Sequence, residues 1–128
     1  MSDATTDRPV RQPGPDHPIT IEPNPARVIV KAGGRVVADT TRALTLREAS
    51  HPAVQYVPLE DVEAAALEPT DHASYCPYKG DASYYSLVAT ENGENAVWEY
   101  RRPYPAVAEI AGHVAFYTDR VEVSETKI

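Results

Sequence analysis

Arg27-Val-Ile-Val-Lys-Ala-Gly-Gly-Arg-Val-Val-Ala-Asp39 decides the fold class. Two short β-branched runs stand on either side of Gly33-Gly34, where a chain reverses at little steric cost. That pattern is a β-hairpin, and related patterns recur along the chain. Thr41 to Arg47 is a further candidate strand that ends at Glu48, and Val54-Gln-Tyr-Val57 is a fourth. Ala82 to Thr90 and Asn95-Ala-Val-Trp-Glu-Tyr100 flank Glu91-Asn-Gly-Glu94, an Asn-Gly hairpin signal. Ala96, Trp98 and Tyr100 alternate with Asn95, Val97 and Glu99, as the two faces of a pleated strand do. Arg101-Arg-Pro-Tyr-Pro105 is irregular, because two prolines break a ladder. Strands resume over Ile110 to Thr118 and Val121-Glu-Val123.

One segment reads as helical. Pro58 opens it, Glu60, Asp61 and Glu63 suit the positive end of a helix dipole, and Glu68-Pro69 ends it. Over Leu59 to Leu67 the residues Leu59, Val62 and Ala66 would share one face. The expected fold is therefore mainly β: a compact antiparallel sheet or small folded-over barrel with one short helix.

Residues 1–25 hold six of the twelve prolines and few large apolar side chains. They read as a disordered or extended tail, in which Ile19 and Ile21 could dock as a short extended segment. A single domain over 26–123 and a short C-terminal tail over 124–128 complete the expected organisation. The chain has 128 residues, of which 42% are hydrophobic, enough for one core.

The formal net charge is −7, with no clustering of Lys and Arg on a plausible face. Duplex nucleic acid and anionic membrane both select for such a cluster, so neither is an expected partner. No apolar run approaches the roughly 18 residues of a membrane span. The N-terminus lacks the apolar core of a signal peptide and carries Asp3, Asp7 and Asp16. The one cysteine excludes an internal disulfide and fits a cytoplasmic setting.

His72-Ala-Ser-Tyr-Cys-Pro-Tyr-Lys-Gly80 is the densest gathering of reactive groups and is the expected site loop. Lys79 can activate Cys76 as a nucleophile with His72 as base, or Cys76 can be a small buried apolar residue. Lys79 and Gly80 suit an anion, or an exposed lysine beside a turn glycine. Arg35 can grip a carboxylate or phosphate, or pair with Glu48 or Asp39. Glu48 can be a general base, or the partner of Arg35 or Arg47. Trp98, Tyr84, Tyr56 and Tyr100 can form an aromatic wall. A structural zinc needs four ligands, and Cys76, His51, His72 and His113 meet that number only arithmetically, so neither metal nor cofactor is expected. His17 falls in the tail and reads as solvated.

The chain resembles the family known as domain of unknown function 427. The resemblance rests on Gly34-Arg-Val-Val-Ala-Asp-Thr40, Glu48 with His51-Pro52, Tyr56-Val-Pro58, Asp61-Val62, Cys76-Pro-Tyr-Lys-Gly80, Ala82-Ser-Tyr84, Asn95-Ala-Val-Trp-Glu-Tyr100 and Ile110-Ala-Gly-His-Val-Ala-Phe116. It implies a compact β-rich domain with no settled activity, present here in one copy. The family also carries a nucleotidyltransferase-like label. Metal-dependent transfer of that class uses a Gly-Ser loop and spaced carboxylates. This chain has no Asp-x-Asp, and Arg35 follows Gly33-Gly34.

These readings converge on a pocket for a small polar or anionic ligand. Its expected walls are Arg35, Glu48, Tyr56, Cys76, Tyr78, Lys79 and Trp98, with Glu48, Cys76 and Lys79 the candidates for catalysis. Two alternatives stand beside it: a non-catalytic module that meets a protein partner, and a thiol enzyme that uses Cys76.

Overall fold

The computed structural model describes residues 8–88 and 90–127. Among them are ten strands: β1 (Ile19–Pro23), β2 (Arg27–Ala32), β3 (Arg35–Thr40), β4 (Leu44–Glu48), β5 (Val54–Pro58), β6 (Leu67–Cys76), β7 (Gly80–Leu87), β8 (Val97–Glu99), β9 (His113–Phe116) and β10 (Glu122–Thr126). They form a seven-stranded sheet, ordered β1-β4-β5-β9-β8-β7-β6, and a three-stranded sheet, β10-β2-β3. The pairing is antiparallel throughout, and neither sheet closes into a barrel. The fold is mainly β, as the alternating runs imply. Among the described residues no helix is long and apolar enough to cross a membrane.

The opening hairpin forms as read. In β2 the residues Val28, Val30 and Ala32 are buried, while Arg27 and Lys31 face out. A register shift between Val30 and Lys31 leaves Val37 extra on β3, so Val37 and Ala38 are both buried. Val30, Val37 and Ala38 pack against Val57, Leu87, Val97, Val114 and Phe116 of the large sheet. The opposite face of that sheet carries a second cluster of Leu46, Tyr56, Ala82, Tyr84, Tyr100 and Ala115, closed by Val107 and Ile110 of the 3₁₀ segment Pro105–Ile110. The central strands therefore bury both faces, and β7 shows why: Ala82 and Tyr84 serve one core, Tyr85 and Leu87 the other. Full burial of each such apolar side chain contributes about 1.5–3 kcal/mol relative to exposure.

The structure departs from the expectations in three places. The helix over Leu59 to Leu67 is two one-turn 3₁₀ segments, Leu59–Asp61 and Ala64–Ala66. Glu60 and Asp61 bond Arg42, and Asp61 also accepts from Thr40, so the acids serve tertiary contacts rather than a helix terminus. The expected site loop is mostly strand: β6 reaches Cys76, with a register irregularity between Pro69 and Ala73 where proline cannot donate to the ladder. The segment read as a disordered or extended tail takes its docked alternative over Ile19–Pro23, where Ile19 and Ile21 pack on the second core and β1 pairs with β4 along its length. The C-terminal segment pairs too, with β10 on β2 through Thr126. The reading of residues 1–7 as disordered lies outside the described residues.

Candidate functional site

Cys76-Pro-Tyr-Lys-Gly80 is the turn of the β6–β7 hairpin, closed by the Cys76 and Gly80 pair. The Lys79 amide donates to the Cys76 carbonyl at 3.2 Å, and the Lys79 carbonyl accepts from the Tyr104 amide at 3.0 Å. Gly80 has φ of +110°, a conformation that side-chain-bearing residues rarely adopt. Glycine thus lets the chain turn so that Lys79 is carried inward, where it is only 7% exposed.

A buried ammonium requires a partner. Lys79 Nζ donates to Glu48 Oε1 at 2.5 Å, and His17 Nε2 meets Glu48 Oε2 at 2.7 Å. Glu48 ends β4, and the chain turns at once through Ala49, whose φ is +48°. Burial alone would raise the Glu48 carboxyl; the hydrogen bonds from Lys79 and His17 outweigh it and hold the group below its ordinary value. Lys79 Nζ also lies 3.8 Å from Cys76 Sγ and 6.0 Å from the centre of the Tyr100 ring.

Above this ion pair is a pocket of about 240 Å³ with an aromatic lining: Tyr56, Tyr84, Trp98, Tyr100 and Tyr117. Trp98 donates to the Tyr56 hydroxyl at 3.2 Å, and Tyr84 shares a 2.7 Å hydrogen bond with Ser74. Burial pushes the Tyr56 and Tyr100 phenols well above their ordinary value. Burial first, then the neighbouring Tyr84 hydroxyl, raises Tyr117 to about 12. The site therefore offers neutral hydroxyls around one ammonium and one carboxylate. His51 and Pro52 complete its rim.

Residues 8–18 strap the outside of the turn. Arg8 pairs with Asp81 and lies 3.7 Å over the Tyr75 ring, whose hydroxyl donates to the Pro9 carbonyl at 2.6 Å. The Arg11 amide donates to the Pro77 carbonyl at 3.0 Å. His17 stacks on Tyr78 with centroids 4.0 Å apart and then reaches Glu48.

Of the expected site residues, the structure brings Glu48, Tyr56, Lys79 and Trp98 together as pocket lining, along with the expected wall tyrosines 84 and 100. Cys76 is half-buried beside Lys79, and Tyr78 is on the outer side against His17. Arg35 is elsewhere: it begins β3 in the other sheet, is exposed and bonds Glu63 at 2.7 Å. His72 packs on the Tyr84 ring, 4.4 Å between centroids, and among the described residues no histidine hydrogen-bonds the Cys76 thiol. Among the same residues no group of three His, Cys, Asp or Glu is placed to hold a metal ion. Other members lie outside the expected set: Leu46, His51, Pro52, Val54 and Tyr117 line the pocket, and His17 meets Glu48. In the sequence His17 reads as solvated, and the only signal against that is its nearness to Ile19 and Ile21. Tyr117 lies at the end of a strand recognised for its apolar residues.

Fold and site together define a two-sheet antiparallel β protein with a polar pocket walled by tyrosines on one face of its larger sheet. The chain belongs to the family described as Domain of unknown function (DUF427), whose model matches residues 20–127. No curated protein matches it.

Proposed function

We propose that the protein binds a small polar ligand in the pocket over Glu48 and Lys79. One observation carries this reading: a lysine and a glutamate, buried together, meet a cavity lined by hydroxyl-bearing rings. Buried ion pairs add little net stability over apolar packing, so their presence at a cavity floor favours a binding role. An anionic group on the ligand would meet Lys79, and a donor beside it would meet Glu48. Catalysis would use the same two side chains for proton transfer, with the neutral tyrosines as hydrogen-bond donors. The thiol alternative has only the nearness of Lys79 to Cys76 in its favour. The single free cysteine accords with a cytoplasmic setting.

A thermal-shift screen against amino acids, organic acids, sugar phosphates, nucleotides and divalent metals tests the reading. A ligand at about a hundred times its dissociation constant stabilises the fold by roughly 2.7 kcal/mol. Hits that Lys79→Ala and Glu48→Gln abolish support the pocket. Hits that survive both substitutions put the ligand elsewhere. A blank panel favours the protein-interaction module.

A further inference from the structure

β5 and β9 are joined at only two positions, Val57 with Val114 and Pro58 with His113. Each keeps a longer ladder with its outer neighbour, β5 with β4 through Val54 and β9 with β8 through Phe116. Tyr56 and Ala115, next in line, are not paired with each other. The strands part there, and the large sheet is slit from one end. The Glu48–Lys79 pocket opens on one side of the slit. On the other side, beneath the three-stranded sheet, is a second hollow of about 520 Å³, with Val30, Val57, Phe116 and Val123 in its lining. His51, Pro52 and Val54 on one bank, and Trp98 and Tyr117 on the other, border both hollows.

Resting on the reading of the polar pocket as a ligand site, we propose that the two hollows are one bipartite site for an elongated amphiphile. Its head carries both charge signs, and its flat apolar arm passes through the slit. The head follows from the floor. A simple anion approaching Lys79 is repelled by Glu48, and a simple cation by Lys79, whereas a zwitterion meets each with its opposite. The arm follows from the banks. The Trp98 and Tyr117 rings lie 4.6 Å apart at 46°, an edge suited to a flat group, and the far hollow is lined by Val30, Val54, Val57, Phe116 and Val123 together with the polar Gln55, Thr118 and Glu125.

Trp98 is the only tryptophan of the chain, so its emission reads occupancy of the slit. The full chain is titrated with glycine, phenylalanine and 4-phenylphenylalanine, which share a zwitterionic head and lengthen the arm. Affinity should rise at least about ten-fold with each added ring, as expected for burial of that apolar area. Ala53→Tyr and Thr118→Tyr, at exposed positions beside the far hollow, should cancel the gain from the second ring. Lys79→Ala should weaken all three amino acids. Equal affinity across the series overturns the bipartite site, and if Lys79→Ala still weakens binding, the polar pocket stands alone. Arm-dependent binding indifferent to Lys79→Ala overturns the union of the two hollows. No response to any of the three overturns the proposal outright, while the wider thermal panel decides the pocket. Should Lys79→Ala fail to fold, the length series with Ala53→Tyr is decisive by itself.

Discussion

Trp98 on β8 and Tyr56 on β5 share a hydrogen bond of 3.2 Å although β9 runs between their strands. The residue that permits this is Ala115, paired with Trp98 across the ladder and fully buried. Its methyl group leaves space for the indole to lean over β9. Ala115→Leu should fill that space, break the bond and cost about 1–3 kcal/mol by overpacking. Urea unfolding followed by Trp98 emission checks both effects at once. An unchanged native emission maximum would mean that the indole does not depend on the small residue.

Lys79 and Glu48 are 9% and 13% exposed at their side chains, so loss of either strands a charge in a poorly solvated place. Lys79→Met alone should cost about 3 kcal/mol. The double substitution Glu48→Gln with Lys79→Met should cost distinctly less than the sum of the singles. A double-mutant cycle in urea measures the coupling. Simple additivity would show the pair to be energetically idle.

The depressed Glu48 carboxyl fixes an acid limb. Its folded value lies below its unfolded value of about 4.5, so the folded state binds the proton more weakly. Its contribution is complete above that unfolded value and is lost as pH falls through the folded one. Unfolding free energies measured from pH 7 downward should fall more steeply for the natural chain than for Glu48→Gln. Parallel curves would exclude Glu48 as a source of the slope.

An alkaline limb has the opposite origin. Tyr117 titrates at about 12 in the folded protein against 10 unfolded, so its contribution is full below pH 10 and lost as pH rises towards 12. Spectrophotometric titration of the phenols should show late ionisation in the native protein. Tyr117→Phe should flatten the stability curve over that window.

Gly93 is a backbone requirement. A methyl group there would clash with the Leu87 backbone carbonyl, far inside van der Waals contact, and the Gly93 carbonyl accepts the Leu87 amide at 2.8 Å. Gly93→Ala should destabilise by about 1–3 kcal/mol, read by chemical denaturation. A neutral outcome would require the turn after β7 to be able to relax without cost.

Strand identity was legible wherever β-branched residues alternated, as in β2, or a turn dipeptide intervened. It failed for β6, because Ala73 and Ser74 have weak strand preference and are held by pairing to β7 instead, while Asp71 and His72 fall in the register irregularity. It failed for the supposed helix, where acids suited to a first turn were taken by Arg42 from a distant segment. The candidate site is legible as a set of residue types, and Tyr56, Tyr84, Trp98 and Tyr100 line one cavity. The pairing within the site is not legible. Arg35 and Lys79 are equivalent as cations in a sequence, and only tertiary packing sends one to Glu63 on the surface and the other to Glu48 inside.

The strap over the β6–β7 turn has a practical consequence. A chain trimmed to the family match, residues 20–127, would retain most of β1 and the other strands but leave Glu48 with a single partner. Where such a chain folds, it would present a differently balanced carboxylate to any small molecule. Affinities measured on trimmed and full-length protein would then disagree, and the size of that disagreement would itself weigh the influence of His17.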